Sequence, residues 1–161
     1  MKHYIGCKLI EAEPALRING EVIRQPEGGC IVEVPSGSIV EEGYHVRYPD
    51  GYESWSPKKV FEKAYFQVDD SVAQGGEKVS RRMVDEFISH AISCSSPPIE
   101  PHVVRVMCVL RNGTTIHEKF DCVDPQLFDE NFDEKMCWNN IYRKIEEHLD
   151  FLIKMGKNGI Q

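Results

Sequence analysis

The chain has 161 residues, of which 41% are hydrophobic and 28% charged, and it carries a formal net charge of −7. This acidic balance argues against double-stranded DNA as the main partner, because binding to phosphates needs clustered lysine and arginine. A small anionic ligand stays open, since it needs only two or three well-placed cations. No run approaches the roughly 18 apolar residues of a membrane span, so we expect no membrane partner.

Cysteine and histidine usage suggests a reduced protein without a metal. The six cysteines form no C-x-x-C pair: Cys7, Cys30, Cys94, Cys108, Cys122 and Cys137. Together with the lack of a signal peptide, this predicts free thiols and a cytoplasmic location. The histidines never approach one another or a cysteine at the spacing of metal ligands, so we expect neither a metal nor a cofactor.

Composition divides the chain into two halves. Residues 1–66 are rich in β-branched and aromatic residues with frequent glycine and proline, which predicts a small β-rich module. Residues 67–77 resemble a linker, 78–155 form a second domain, and 156–161 a tail. Each half is too small to bury a comfortable core, so we expect packing between halves or between subunits.

The first half predicts a small antiparallel sheet with one helix. A strand spans 4–13 and ends at Pro14, and a second strand spans 30–34. A hairpin over 43–55 turns at Pro49-Asp50-Gly51. A helix then runs to about residue 65, with Ser56 at the N-cap and Pro57 at the first helical position. Its predicted buried stripe consists of Val60, Phe61 and Ala64.

The second half predicts a helix, a β-hairpin and a long helix, which makes the protein α+β. Ser80 caps the first helix, whose apolar face is Val84, Phe87, Ile88 and Ala91. A hairpin over 102–122 turns at Asn112-Gly113, which favours a type I′ turn. The last helix opens at Asp124-Pro125, and its predicted inward face is Phe132, Met136, Ile141, Ile145, Leu149 and Leu152.

Catalytic motifs are missing from the sequence. It contains no G-x-S-x-G, no phosphate-binding glycine loop, and no Cys–His pair that the order of residues would single out. Most paired carboxylates lie where helices start, and the helix dipole explains them. We therefore expect a binding protein that is not an enzyme.

Two groups of residues suit a nucleotide. The first combines Trp138 and Tyr142, four apart on the last helix and able to stack on a base, with Arg143, Lys144, Arg105 and Arg111 for phosphates. The second, a possible further site, combines Arg47 with Tyr44, Tyr48 and Trp55. The alternative for the first group, and the commoner role of aromatics four apart on a helix, is the core or a subunit interface. An ordinary sheet face with one solvated arginine is the alternative for the second.

The stretch 100–153 resembles a family of short accessory proteins of tailed phages and prophages. The resemblance rests on Asn112-Gly113, Cys122-Val123-Asp124-Pro125, Phe128-Asp129, Lys144-Ile145 and Phe151-Leu152, with the preceding helix in its usual place. The chain departs from the pattern at Thr114, where an aromatic is usual, at Asp133, where glycine is usual, and at Glu146, where tryptophan is usual. The stretches YIGCKLIEAEPALR and EEGYHVRYPDGYESWSPKKVFEKAY resemble a second phage module, and the ending of the latter is similar to that of the second anti-Thoeris sponge family.

Members of the first family are similar to the first anti-Thoeris proteins, phage sponges that sequester cyclic ADP-ribose isomers or cyclic oligonucleotides as homo-oligomers. The resemblance implies a homo-oligomeric anti-defence protein in the cytoplasm of the infected host that holds a cyclic nucleotide without cleaving it. An aromatic at position 114 would stack on adenine, so Thr114 bears on which ligand binds. The alternatives are an inhibitor that binds a host protein, including an acidic DNA mimic, and a phosphodiesterase.

Overall fold

The computed structural model of the chain describes residues 1–2, 5–24, 34–73, 79–95 and 102–160. The protein is α+β, as predicted. It forms two compact units, one made of Met1–Gln67 with Met155–Gln161 and the other of Val68–Lys154. The domain boundaries drawn from composition stay a prediction.

The described residues contain seven strands and four helices. In chain order they are β1 (Glu11–Ile18), β2 (Glu21–Arg24), β3 (Val40–Arg47), β4 (Glu53–Pro57), α1 (Lys58–Ala64), α2 (Asp70–Ala73), α3 (Arg81–Phe87), β5 (Ile88–Ser95), β6 (Val103–Leu110), β7 (Thr115–Asp121) and α4 (Glu130–Asn158), with a 3-10 turn at Pro125–Leu127 before α4. No described helix is both long and apolar enough to cross a bilayer.

The first unit contains a four-stranded antiparallel sheet in the order β2-β1-β3-β4. The hairpin β1–β2 turns at Asn19 and Gly20, which both have positive φ, 50° and 94°. Positive φ at both central residues defines the type I′ turn, and asparagine and glycine tolerate it best. The sequence prediction missed this hairpin, although the Asn-Gly pair was its signal.

The predicted strand at 4–13 lies further along the chain, at Glu11–Ile18, and Pro14 is inside it. Pro14 pairs with Tyr44 of β3, whereas the pairing of β1 with β2 starts one residue later, at Ala15. Among the described residues, no β2 residue pairs with Pro14, so its missing N–H leaves no ladder bond unmade there. The proline is tolerated for that reason and does not end the strand.

The β3–β4 hairpin is confirmed. Tyr48 N–H donates to the carbonyl of Tyr52 at 2.9 Å, and Gly51 N–H donates to the carbonyl of Tyr48 at 2.9 Å. Gly51 has φ 84°, and the Asp50 carboxylate accepts from the N–H of Tyr52 at 3.1 Å. Because Gly51 alone in this loop has positive φ, the geometry fits a three-residue loop ending in a left-handed glycine.

Helix α1 is present, but the expected cap and stripe are wrong. Ser56 pairs with Tyr44 as part of β4, and Pro57 occupies the N-cap without a side-chain hydrogen bond. No α1 residue is buried, and Val60 is 60% exposed. Of the predicted stripe, Phe61 makes the contact that the structure shows, because its ring stacks on Tyr44 at 4.2 Å between centroids.

The second unit packs helices against one face of the antiparallel sheet β5-β6-β7. Alternate residues of β6 are buried, and the Sγ of Cys137 on α4 lies 3.9 Å from the carbonyl oxygen of Val104. The core of this unit consists of Val72, Met83, Val84, Phe87, Val103, Val104, Val106, Cys108, Leu110, Ile116, Cys137, Ile141, Ile145, Leu149 and Ile153. Burial raises the pKa of the Cys108 and Cys137 thiols, which keeps them protonated.

The predicted helix after Ser80 is only half a helix. The cap itself is confirmed, since the Ser80 hydroxyl accepts from the N–H of Met83 at 3.2 Å. The helix ends at Phe87, and Ile88–Ser95 forms β5, which pairs with β6. Ile88 and Ile92, four apart, fit both one face of a helix and one face of a strand, so only the pairing with β6 decides between them. The C-terminal hairpin is therefore a three-stranded sheet.

The β6–β7 hairpin is confirmed, but its turn is not type I′. Only Gly113 has positive φ, at 84°, whereas type I′ requires it at both central residues. Leu110 N–H donates to the carbonyl of Thr114 at 2.8 Å, and Gly113 N–H to that of Leu110 at 2.9 Å. The loop is thus built like the one between β3 and β4, with three residues.

Helix α4 begins five residues after the predicted start and buries a different face. The Asp129 carboxylate accepts from the N–H groups of Asn131 and Phe132, both at 3.1 Å, and caps the helix. Phe132 and Leu152, expected inside, are 56% and 40% exposed. The buried row is Asp133, Cys137, Ile141, Ile145, Leu149 and Ile153. Its spacing of four residues follows one stripe of the helix.

Two segments were predicted as a strand, residues 30–34, and as a linker, residues 67–77. The strand predicted at 30–34 falls outside the described residues except for Val34, which lies in no strand. Within the expected linker 67–77, Asp70–Ala73 forms a single helical turn with Val72 buried. Hydrogen bonds from Ser80 and Arg82 lower the pKa of the Asp69 carboxyl, which ties this turn to the start of α3.

Candidate functional site

One face of α4 carries a mixed aromatic and polar surface. Its residues recur at intervals of three and four along the helix, so they share a side of it. They are Asn131, Glu134, Lys135, Trp138, Asn139 and Tyr142. Together with Arg81 from the first turn of α3, they line an open cleft of about 460 Å³. We call this surface the α4 cleft.

Three side chains in the α4 cleft form a stacked array. The guanidinium carbon of Arg81 lies 3.2 Å from the centre of the Tyr142 ring. The Tyr142 and Trp138 rings lie side by side, with centroids 5.6 Å apart and planes at 33°. A guanidinium over an aromatic face is attracted by the negative charge of the ring face. The array therefore presents a cation next to two half-buried aromatic rings.

Carboxylates hold this array in place. The Nε1 of Trp138 donates to Glu134 at 3.3 Å, which fixes the orientation of the indole. The Nε of Arg81 donates to Asp85 at 3.3 Å, one turn further along α3. Burial raises the pKa of the Tyr142 hydroxyl, and the nearby Arg81 charge opposes that rise. The hydroxyl is thus neutral at pH 7, and a hydrogen bond with Asp85 adds to the rise.

The α4 cleft has the size and chemistry for a small aromatic anion. Its volume falls within the roughly 300–1,000 Å³ of typical ligand pockets. Trp138 offers a stacking surface, and the amides of Asn131 and Asn139 can both donate and accept. Lys135 and Arg81, the latter paired with Asp85, offer positive charge beside the Glu134 carboxylate. A nucleobase with an attached phosphate is one ligand that such groups can contact.

Of the six predicted ligand-binding residues, only Trp138 and Tyr142 line the α4 cleft. Lys144 forms an ion pair with Glu118 of β7, whose side chain is 12% exposed. Arg143 reaches Glu147 one turn along the helix, at 3.5 Å, and is 65% exposed. Since Tyr142 contacts α3 and Lys144 contacts β7, the two lie on opposite flanks of the buried row.

Arg105 and Arg111 lie elsewhere in the second unit. Arg105 is on the face of the sheet turned away from the buried β6 residues, directly opposite Lys119. It lines a shallow hollow of about 390 Å³ together with Met107 and His117. Arg111 is exposed in the β6–β7 loop, where its N–H donates to the carbonyl of Phe87 at 3.0 Å. The ligand-binding role of these residues stays a prediction.

The possible second site divides between two faces of the first sheet. Tyr44 and Tyr48 alternate with Arg47 along β3, so they point to the opposite side. Tyr44 stacks on Phe61 of α1. Arg47 forms an ion pair with Glu11. Trp55 lies against Arg17, whose guanidinium carbon is 4.0 Å from the centre of the Trp55 ring. The four residues thus form no single pocket.

Reasoning from sequence missed most of the α4 cleft. A helical plot of the face around Trp138 would have found Lys135, three residues before it, and Asn131, seven residues before it. Asn139 is the next residue in the chain after Trp138. Arg81 had no comparable signal, because it lies 57 positions before Trp138. Within the described residues, no group of three or more histidine, cysteine or acidic side chains is placed to hold a metal.

Comparison with known families places the second half of the chain. Residues 74–156 match the phage protein family described as N4 Gp49/phage Sf6 gene 66. The chain belongs to this family. The matched region begins just before α3 and extends almost to the end of α4, so it contains the whole α4 cleft. No curated protein and no solved structure matches the chain.

Proposed function

We propose that this phage protein binds and sequesters a cyclic nucleotide signal of host defence without cleaving it. The observation that carries the proposal is the array of Arg81, Tyr142 and Trp138 in the α4 cleft. In this proposal Trp138 stacks on the base, while Arg81 and Lys135 neutralise phosphate. Sequestration requires affinity and burial alone, so these groups suffice without a nucleophile.

The ligand class follows from the resemblance to the first anti-Thoeris proteins. It comprises isomers of cyclic ADP-ribose and cyclic oligonucleotides, which combine purine rings with two or more phosphates. Such a sponge acts in the cytoplasm of the infected bacterium, where the signal is made. The proposal does not use Thr114, since that residue lies in the β6–β7 hairpin and not among those lining the α4 cleft.

Charges on α4 favour this proposal over an acidic DNA mimic. A mimic needs an uninterrupted row of negative charge that imitates phosphates. On α4, Glu147 and Asp150 each pair with a basic residue one turn away, Arg143 at 3.5 Å and Lys154 at 2.6 Å. Between residues 143 and 154, these two carboxylates of α4 are therefore each balanced by a positive charge.

Calorimetry with a matched pair of variants tests the site. Arg81→Gln removes the cation over Tyr142, and Arg143→Gln removes an equally exposed cation on another side of α4. A charge-assisted hydrogen bond contributes about 1.5–3 kcal/mol, so Arg81→Gln should weaken binding by about 10-fold or more. Arg143→Gln should leave the affinity within about 2-fold, since a change of that size is below 0.5 kcal/mol.

The titrants are cyclic ADP-ribose isomers and cyclic di- and trinucleotides, and ligand released by heat is then analysed by chromatography. Intact ligand recovered from a protein that bound it supports sequestration. Altered ligand would make the protein an enzyme. Weakened binding in Arg143→Gln but not in Arg81→Gln would place the site outside the α4 cleft. No binding of any nucleotide would overturn the proposal and favour an inhibitor that binds a host protein.

A further inference from the structure

The three-stranded sheet of the second unit has two edges, β5 and β7. Each edge strand has one row of backbone N–H and C=O groups that no other strand in the described part of the chain pairs with. Proteins usually protect such rows with charged side chains, prolines, bulges or a covering segment, because an open row templates pairing with another chain. The two edges of this sheet differ in that protection.

Strand β7 is protected by charge and β5 is not. The β7 sequence TIHEKFD contains two acidic residues and a lysine, and Lys119 pairs with Asp121 at 3.2 Å. The β5 sequence ISHAISCS contains no Asp, Glu, Lys, Arg or Pro. An eight-residue strand is longer than the usual five or six residues, and short edge strands are another protection that β5 lacks.

Both faces of β5 are also uncovered. Every residue from Ser89 to Cys94 is exposed, whereas alternate residues of β6 next to it are buried. Ile92 is 54% exposed, although isoleucine is among the residues most often buried. The helices that cover β6 therefore leave β5 free on either side, and a partner along its edge would also contact these side chains.

A bulge near the start of β5 restricts the regular edge of this strand, which is unpaired within the described part of the chain, to the residues that follow it. The register of β5 against β6 shifts between Ile88 and His90, which distorts the start of the strand. From His90 to Ser95 the pairing continues without interruption. These six residues form a regular edge, and antiparallel pairing of five of them with a second copy would make about four to six backbone hydrogen bonds, two for each alternate pair.

We infer that residues 90–94 pair antiparallel with the same residues of a second copy, with Ile92 opposite its counterpart, so that two three-stranded sheets join into one of six strands. Every copy carries the same edge, and a two-fold axis aligns a strand antiparallel with itself in a closed dimer. Because the segment has no formally charged residue, self-pairing sets no like charges opposite one another. Ile92 then approaches its counterpart near the axis.

Light scattering coupled to size-exclusion chromatography tests this dimer in reducing buffer, which keeps the exposed Cys94 from linking copies through a disulfide. The full chain should elute with twice its 18.4 kDa mass. Ile92→Lys places two positive charges near the axis and should weaken self-association by about 10-fold or more, since each 1.4 kcal/mol is a factor of ten. Phe132→Lys, at a site that is 56% exposed on α4, is the matched control and should stay dimeric.

Circular dichroism of both variants establishes that they fold. A wild-type chain that is monomeric at about 100 μM would overturn the inference, because association in that range is weaker than about 5.5 kcal/mol. A folded Ile92→Lys variant that stays dimeric would overturn it as well, since the interface would then lie elsewhere. Hydrogen exchange of the wild type provides a measurement without substitution. Those amides among residues 90–94 that point away from β6 should become more protected as concentration rises, and constant protection would contradict the pairing.

Discussion

Gly43 shows how a single missing side chain shapes the first unit. It lies in β3 opposite Ala15, and both residues are buried. A Cβ built on Gly43 would lie 2.6 Å from two carbons of the Trp55 ring and would overlap the carbonyl oxygen of Ser56. The indole therefore packs directly on the backbone, and Arg17 covers its other side. Small residues at 15 and 43 make room for the tryptophan.

Gly43→Ala should therefore destabilise the first unit. Its methyl group enters a space that backbone and a ring already fill, and overpacking of this kind costs about 1–3 kcal/mol or more. Gly6→Ala is the control, because its Cβ would meet nothing within 4 Å and its φ is not positive. Urea unfolding followed by fluorescence measures both, and equal midpoints for the two variants would contradict this packing.

At the scale of elements, α4 illustrates why its buried face was predicted only in part. Ile141, Ile145 and Leu149 were placed correctly, since they follow the spacing of four that the helix buries. The two ends were wrong because Phe132 and Leu152 fit the same apolar pattern by sequence. Ile153 continues the spacing of four from Leu149, and choosing Leu152 instead departed from that spacing.

Alanine substitutions on α4 distinguish the two faces. Ile141 is fully buried, and truncation of a buried isoleucine costs about 2–5 kcal/mol from lost contacts and the cavity that remains. Leu152 is 40% exposed, so Leu152→Ala should cost less than about 1 kcal/mol. Chemical unfolding monitored by helical circular dichroism compares them. A larger loss for Leu152→Ala would mean that the helix buries the face predicted from sequence.

At the scale of the whole molecule, each compact unit contains one of the two tryptophans, Trp55 in the first and Trp138 in the second. The family match covers the second unit from residue 74 onwards and leaves nearly all of the first unit outside it. The α4 cleft lies entirely in the matched region, whereas the residues of the possible second site lie in the first unit. The tryptophans therefore report separately on the two candidate sites.

Ligand binding should change the fluorescence of Trp138 alone. A base stacked on the indole at that position quenches its emission, because the two ring systems lie in contact. Trp55→Phe should keep the quenching by a bound cyclic nucleotide, and Trp138→Phe should lose it. Titrations of the two variants in parallel measure this. Quenching that persists in Trp138→Phe and disappears in Trp55→Phe would move the site to the first unit.

The sequence by itself determined the features that depend on neighbouring residues. The α+β class, the Ser80 cap, the two three-residue hairpin positions and the middle of the α4 stripe all follow from local chemistry, since capping, turn formation and periodicity act over a few positions. Proline at 14 and the Asn-Gly pairs show the limit, because the same signal fits more than one arrangement until the strand partners are known.

Only the tertiary structure decided the features that depend on distant residues. Pairing with β6 converts the second half of a predicted helix into β5, because ladder hydrogen bonds with a distant strand outweigh local spacing. Contact with α3 brings Arg81 over Tyr142 and creates the α4 cleft, while β7 draws Lys144 to the opposite flank through Glu118. These outcomes arise from packing between segments far apart in the chain, where no local pattern carries the information.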